Sequence, residues 1–442
     1  MSTKKVLKNI SWLVFEKIST LLIGLIVIIK VANYYGPTEY GLYQFALSIN
    51  LLIGVIVLLV DGRVVKKLYH DRDEGHVIFN TTISKVILSI ASLVIGFLLL
   101  VVIDRGFKFN SIFLLLLFNN IIINLTFGIQ SYFEYRLKSK NVVVASNIAS
   151  IIGAILQLIV IGLDYSIVNI VAIVLLSSII KLYIIFYLFK KSFSINAVTR
   201  VDILLISAII RESLPLAIAA TAATIYARVD QVMIGAMLDV SEVGVYSISV
   251  QMISVVAIAI SPLQISFYPK MIKWYNSNRR IYYNKYQAMT SLATWISILG
   301  TIATFIVAPI IFGSFFDEAY SKSLDVFKIH IIGVLIMYNA VLRSSHFTLT
   351  KSTNIMVISQ IIAVFVNIVL NYFLIPIIGI YGAAVATAIT QFIALFLSNL
   401  FFKSGKDILW LQLKAVNPMS ILKMRDNDSQ DEGARVMSSE VG

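Results

Sequence analysis

The 442-residue chain has no cysteine, which excludes disulfides, thiolate metal centres and Cys nucleophiles and leaves the redox compartment unread. Its four histidines are scattered, so a metal centre is not expected. Charged residues make up only 13% of the chain, about half of the roughly 25% typical of a soluble domain. Gly-rich phosphate loops, zinc-ligand spacings, nucleophile elbows and carboxylate dyads are all missing from the pattern. Neither a soluble fold nor a familiar catalytic constellation is therefore expected.

What is present in quantity is apolar side chain: 59% of residues, with a mean hydropathy of +0.89. A spanning helix needs about twenty mainly apolar residues, and runs of that kind lie near 10–34, 41–61, 82–103, 110–132, 142–162 and 167–189. A second set lies near 214–237, 243–267, 288–312, 325–349, 354–375 and 379–402. Lys4, Lys5 and Lys8 precede the first run as they would in a signal peptide, but no small-x-small cleavage site closes it. It reads as the first spanning helix.

The net charge of +13 would suggest nucleic acid if it formed a patch. It is instead distributed among the loops. Most Lys and Arg fall before the first run, after each even-numbered run and after the last, while the odd-numbered connections hold only Arg105, Lys108, Lys322 and Lys328. Cationic loops stay on the cytoplasmic side during insertion, so both termini are expected there and no nucleic-acid partner is needed to explain the charge. The longest internal connection, 190–213, reads as a basic amphipathic linker on the inner membrane surface. It separates an N-terminal six-helix bundle, 1–189, from a C-terminal one, 214–402, and a cytoplasmic tail, 403–442, becomes disordered near Arg425.

Thr38-Glu39-Tyr40-Gly41-Leu42-Tyr43 and Ser241-Glu242-Val243-Gly244-Val245-Tyr246 share the pattern [ST]-E-x-G-x-Y. Each copy follows the first helix of its half, so the halves read as a parallel repeat. The expected fold is all-α, with about twelve transmembrane helices in two six-helix bundles.

Asn33-Tyr34-Tyr35-Gly36-Pro37 leading into that first turn, Asp230-x-x-x-Ile234-Gly235 leading into the second, and Leu374-Ile375-Pro376 through Gly379-Ile380-Tyr381-Gly382-Ala383-Ala384 together resemble the Wzx-type polysaccharide or O-antigen flippases. These belong to the multidrug/oligosaccharidyl-lipid/polysaccharide exporter superfamily. The resemblance covers the membrane region to about residue 402. It implies a MATE-like pair of bundles around a cavity that opens alternately to either side. It also implies a polyprenyl-diphosphate-linked oligosaccharide as cargo, moved from the cytoplasmic to the periplasmic leaflet of a bacterial inner membrane. Membrane lipids, a polymerase and a chain-length regulator are the partners it suggests, and no cofactor.

Charges inside a bilayer cost about 2.5–3.5 kcal/mol on insertion scales, so those that persist should face water or a partner. In the first helix Glu16, Thr20 and Lys30 share a face, and the seventh carries Thr221, Thr224, Arg228 and Gln231 as a polar stripe. Lys30, Arg228 and Arg343 are the expected phosphate contacts, since cationic side chains recognise diphosphate oxygens and guanidinium does so bidentately. Lys30 reads equally as snorkelling to the outer interface. Gln44, Ser48, Asn124, Thr224 and Gln251 are the expected glycan contacts, Gln44 and Ser48 mapping through the repeat onto Ser247 and Gln251. Amides at these spacings serve equally as helix-to-helix glue. Glu16, Asp61 and Asp230 are the candidates for exchanging H⁺ or binding Na⁺, with Asp61 also placed to pair with Arg63. The nearest rival function is a multidrug or organic-cation antiporter, which a mixed-to-basic set of charges disfavours. A membrane polymerase or glycosyltransferase is a third, disfavoured by short external loops.

Overall fold

A computed structural model describes residues 3–103, 105–193, 200–257 and 260–424. Every regular element among these residues is helical. In chain order they are α1 (Thr3–Ile53), α2 (Gly62–Asp71), α3 (Glu74–Val102), α4 (Phe107–Leu125), α5 (Phe127–Tyr135), α6 (Ser139–Gly162), α7 (Ile167–Ser192) and α8 (Ile203–Met237). There follow α9 (Val240–Ala257), α10 (Ile260–Ser277), α11 (Arg279–Phe315), α12 (Ser321–Asn339), α13 (Arg343–Leu349), α14 (Asn354–Ile378), α15 (Ile380–Leu395) and α16 (Lys403–Lys414).

Eleven segments among the described residues are long and apolar enough to cross a membrane. The first, Ser11–Asp71, is 61 residues long, which at about 1.5 Å per residue far exceeds a hydrocarbon core of about 30 Å. It is broken at Gly36, whose φ of 70° and ψ of 174° are non-helical, with Pro37 next. Each arm has the length of one crossing, and the two arms match the first two expected runs. The outward faces of these helices carry exposed large apolar residues such as Leu98, Phe186, Leu299, Ile306 and Phe365, as a lipid solvent requires.

The chain divides into two compact units, Met1–Ser247 and Ile248–Gly442. This departs from the expected 1–189, 190–213 and 214–402. The second half of the expected linker is not a surface segment: α8 begins at Ile203, capped by the Asp202 carboxylate accepting from Leu205 N–H, and runs on through Pro215. Leu205 and Ile209 are fully buried in an aromatic core with Tyr69, Tyr132, Phe133 and Phe189. The hydrophobic effect thus draws the start of α8 into the first unit. Ion pairs add to this, Arg72 to Asp202 at 3.8 Å and Lys67 to Glu212 at 3.5 Å.

The part of the expected cytoplasmic tail that precedes Arg425 is helical and packed. In the second unit α16 sits on a core of Tyr282, Tyr286, Met289 and Phe347 through Ile408, and Asn399 Nδ2 donates to Gln412 Oε1 at 2.9 Å. Residues 425–442 lie outside the described residues.

The two copies of the repeated turn touch each other inside the first unit. A Cβ built on Gly41 would lie 1.8 Å from the Val240 carbonyl oxygen, and one on Gly244 would lie 2.2 Å from the Pro37 carbonyl oxygen. Pro37 stands to Gly41 as Val240 stands to Gly244, so the contact is reciprocal, as about a twofold axis. Arg105 and Lys108, two of the few cations in odd-numbered loops, close the same region. Arg105 donates to the Gly235 carbonyl at 2.9 Å, and Lys108 pairs with Glu39 at 2.6 Å.

Candidate functional site

A polar cavity of about 390 Å³ opens among α1, α6 and α7 of the first unit. From α1 come Glu16, Thr20, Gly24 and Val27, at the i, i+4, i+8 and i+11 positions of one helical face. From α6 come Ser146, Ser150, Gly153 and Gln157, again along one face, and from α7 Ser177, Ser178 and Lys181. The helices can hold an opening here because small residues line it. A Cβ on Gly153 would lie 2.2 Å from Ser177 Oγ, whereas one on Gly24 would meet nothing within 4 Å. Gly153 therefore sets the α6–α7 approach, and Gly24 leaves open volume. Thr20 turns its hydroxyl back to the Glu16 carbonyl at 2.6 Å, which leaves the Glu16 carboxylate to the cavity.

The arrangement puts one acid, one base and several hydroxyls around one cavity within membrane-spanning helices. A carboxyl and an amine are the kinds of group that can exchange a proton, and here one of each lines the same space. A bare metal cation would instead meet the ammonium of Lys181.

The other residues expected to bind substrate or ions are placed differently. Gln44 and Ser48 are buried: Gln44 Nε2 donates to Tyr40 Oη at 2.9 Å, and Ser48 Oγ donates to Gln231 Oε1 and to the Gln44 carbonyl. Ser48 joins α1 to α8, whereas among the described residues Gln44 bonds only within α1. Arg228 is half-buried at the edge of that network, 3.4 Å from Gln231 Oε1. Lys30 is exposed. Asn124 and Thr224 turn back to carbonyls of their own helices, Asn120 at 2.7 Å and Ala220 at 2.9 Å. Gln251, half-buried on α9, accepts from Ser254 at its carbonyl.

Arg343 is 4% exposed. Its guanidinium donates to Asn399 Oδ1 at 2.8 Å, Ser359 Oγ at 2.7 Å and Ser398 Oγ at 3.1 Å, with the Phe347 ring 5.0 Å away. Its donors are spent on the interior of the second unit rather than offered to a phosphate. Of the expected coupling acids only Glu16 lies in the cavity. Asp61 caps α2 through the Arg63 N–H at 2.7 Å and holds the Arg63 guanidinium at 2.8–3.0 Å. Asp230 is buried and accepts from Tyr246 Oη at 2.8 Å.

The model of the polysaccharide biosynthesis protein family matches residues 6–274. The chain belongs to that family. The capsular polysaccharide biosynthesis protein CapF of Staphylococcus aureus is 20% identical over 401 residues, spanning 90% of this chain and 99% of CapF. Among solved structures, the lipid II flippase MurJ in its inward closed conformation superposes with a TM-score of 0.71 at 16% identity, covering 91% of this chain and 90% of MurJ. An inward-facing multidrug resistance MATE transporter of the MOP superfamily gives 0.67 at 16% identity, covering 90% and 96%. This polysaccharide biosynthesis protein thus shares its fold with these transporters, and its eleven long apolar helices among the described residues make it a multi-pass membrane protein.

Two intramembrane cations of this family member were not singled out from sequence. Lys181 lines the cavity. Lys85, buried on α3, donates to the Val57 carbonyl at 2.8 Å and lies 4.0 Å from the Phe127 ring centroid. Val57 belongs to the 3₁₀ segment Gly54–Leu59 that interrupts the second crossing, and its carbonyl accepts from Val60 N–H as well as from Lys85. Both were findable by the rule applied to Lys30 and Arg228, a cation within an apolar run.

Proposed function

We propose that this protein moves a polyprenyl-diphosphate-linked oligosaccharide from the cytoplasmic to the outer leaflet of a bacterial inner membrane by alternating access, and that a proton held between Glu16 and Lys181 drives the cycle. The observation that carries the reading is the polar cavity of about 390 Å³ in which these two groups face the same space. An acid and a base kept inside a lipid-embedded bundle cost free energy that only a task or a partner offsets. Family membership supports a polysaccharide precursor as cargo, and the excess of Lys and Arg in alternate loops supports cytoplasmic termini. Lys181 favours H⁺ over Na⁺ as the coupling ion, since a second cation in the chamber would be repelled at close range.

The test is depletion in cells together with reconstitution. On depletion, lipid-linked oligosaccharide should accumulate facing the cytoplasm. In proteoliposomes carrying that lipid, an imposed proton gradient should accelerate its appearance on the other leaflet, while a Na⁺ gradient at constant pH should not. Transport of a labelled organic cation with no movement of the glycolipid would overturn the reading.

A further inference from the structure

A second cavity in the first unit differs in every chemical respect from the polar one. It encloses about 610 Å³, within the roughly 300–1,000 Å³ of ligand-binding sites. One wall is Gly75, Ile78, Phe79 and Thr82 of α3, the back is Leu125 and Ile129, and the other wall is α7 from Ile179 to Phe193. Five of the twelve lining residues are aromatic: Phe79, Tyr183, Phe186, Phe189 and Phe193.

The groove is preformed. Ile78, Ile129 and Phe189 belong to the buried core. The Phe189 and Phe193 rings stack with centroids 5.0 Å apart, and Tyr132 meets both edge-on at 5.7 and 5.3 Å. On its outer side it opens to lipid across Ile179, Tyr183 and Phe186, all exposed.

At the end of α7 the groove meets two cations. Lys190 lies with its Nζ 4.9 Å from the centroid of the groove-lining Phe186 ring, and Lys191 follows it. Both are exposed, and among the described residues neither is paired with an acid. Aromatic rings grading into lysines mark an interfacial level, which the loop charges place at the cytoplasmic leaflet. An apolar slot about 21 Å long along α7, at about 1.5 Å per residue, thus ends at a pair of free positive charges.

We propose that this groove binds the isoprenoid tail of a phosphorylated polyprenol, with the phosphate at Lys190 and Lys191. The proposal rests on the flippase reading above and gives the cargo lipid a docking place on the leaflet it leaves. Gly75 and Thr82 facing a wall of rings make the slot wide. A methyl-branched, unsaturated chain fills such a width, whereas a straight saturated chain leaves gaps whose lost contacts weaken binding.

The experiment uses the full chain in nanodiscs and a polyprenyl phosphate carrying a diazirine in its tail. Labelled peptides should map to α3 around Phe79 and α7 around Tyr183 and Phe186. Thr82→Trp should abolish that labelling by filling the groove, and Lys190→Gln with Lys191→Gln, both exposed and harmless to folding, should weaken it by about fivefold per lysine removed. Unlabelled polyprenyl phosphate should compete, and excess phosphatidylglycerol should not.

Equal competition by phosphatidylglycerol, or labelling indifferent to both sets of variants, would show an ordinary lipid annulus and overturn the proposal. Flipping measured on the same preparation separates the two ideas. Specific labelling without flipping would leave the groove standing and remove the flippase reading, and flipping without specific labelling would do the reverse.

Discussion

Gly41 and Gly244 occupy the same place in the two copies of a repeated turn and press against each other's strand of backbone, each leaving no room for a methyl group beside the carbonyl of the residue four before the other. A Cβ at either site would approach a backbone oxygen to 1.8 or 2.2 Å, and backbone cannot swing aside as a side chain end can. Gly41→Ala and Gly244→Ala should each destabilise this contact by about 1–3 kcal/mol, the usual cost of overpacking. Because both act on one contact, the double variant should cost less than the sum. Since the chain has no native cysteine, a single cysteine at Leu42 reports the change without background, and its maleimide labelling should accelerate in either variant. Gly162→Ala, where nothing lies within 4 Å of the added carbon, serves as the control and should label at the native rate.

Arg343 makes a different kind of prediction, because its donors are already satisfied by Asn399, Ser359 and Ser398. Removing the guanidinium in Arg343→Leu strands those buried acceptors, at a cost of about 1–3 kcal/mol. Arg343→Lys should recover only part of it, since an ammonium cannot span the same planar fork. The expected signature is a lower melting temperature in detergent with transport falling only in proportion to folded protein. A normal melting temperature with specific loss of glycolipid affinity would return Arg343 to the substrate site.

The contrast between Arg343 and Lys181 shows which part of this protein is legible from sequence. Hydrophobic runs and loop charges report on the bilayer, a solvent whose demands are the same at every helix, so the spanning segments were readable in advance. The repeated [ST]-E-x-G-x-Y turn was readable too, but the approach of Gly41 and Gly244 to each other's turn was not, because a shared motif does not say what its glycine packs against. Polar stripes carry no such label. Gln44 and Ser48 have the spacing of a lining and yet are buried, Ser48 bonding Gln231 on α8 and Gln44 bonding Tyr40 on α1, since a hydroxyl or amide meets the same need by bonding a neighbour as by meeting water. The start of α8 was missed for a related reason. Its basic, amphipathic composition suits a membrane surface, but Leu205 and Ile209 find a better place in the aromatic core of the first unit.

Gly24 offers a way to test the polar cavity without touching its charges. It lines the chamber and would meet nothing within 4 Å of an added Cβ, so a larger side chain enters empty volume instead of displacing a helix. Gly24→Leu should therefore fold with unchanged or slightly higher thermal stability, a helix-interior glycine being about 1 kcal/mol less favourable than a good helix former. Transport should nevertheless fall by an order of magnitude or more, about 1.4 kcal/mol of lost coupling, as water and the proton path are displaced. Retained proton-driven flipping in Gly24→Leu would mean the cavity is a packing defect.

Glu16 and Lys181 provide the sharper test, because their roles are linked through charge rather than shape. If they share a proton, Glu16→Gln leaves Lys181 without its acid and Lys181→Gln leaves a carboxylate alone in the chamber. Breaking a direct buried pair typically costs about 3–5 kcal/mol, and either single change should cost less here because the two groups are half-buried and share a cavity rather than a direct bond. Either single change should abolish acceleration by a proton gradient, while the double neutral variant should regain stability without regaining the acceleration. The exchanged pair, Glu16→Lys with Lys181→Glu, should recover some gradient dependence, since the same two groups again face one cavity. Measuring glycolipid flipping in proteoliposomes at several imposed pH differences separates these cases. Coupling that survives in the double neutral variant would move the proton site elsewhere in the chain.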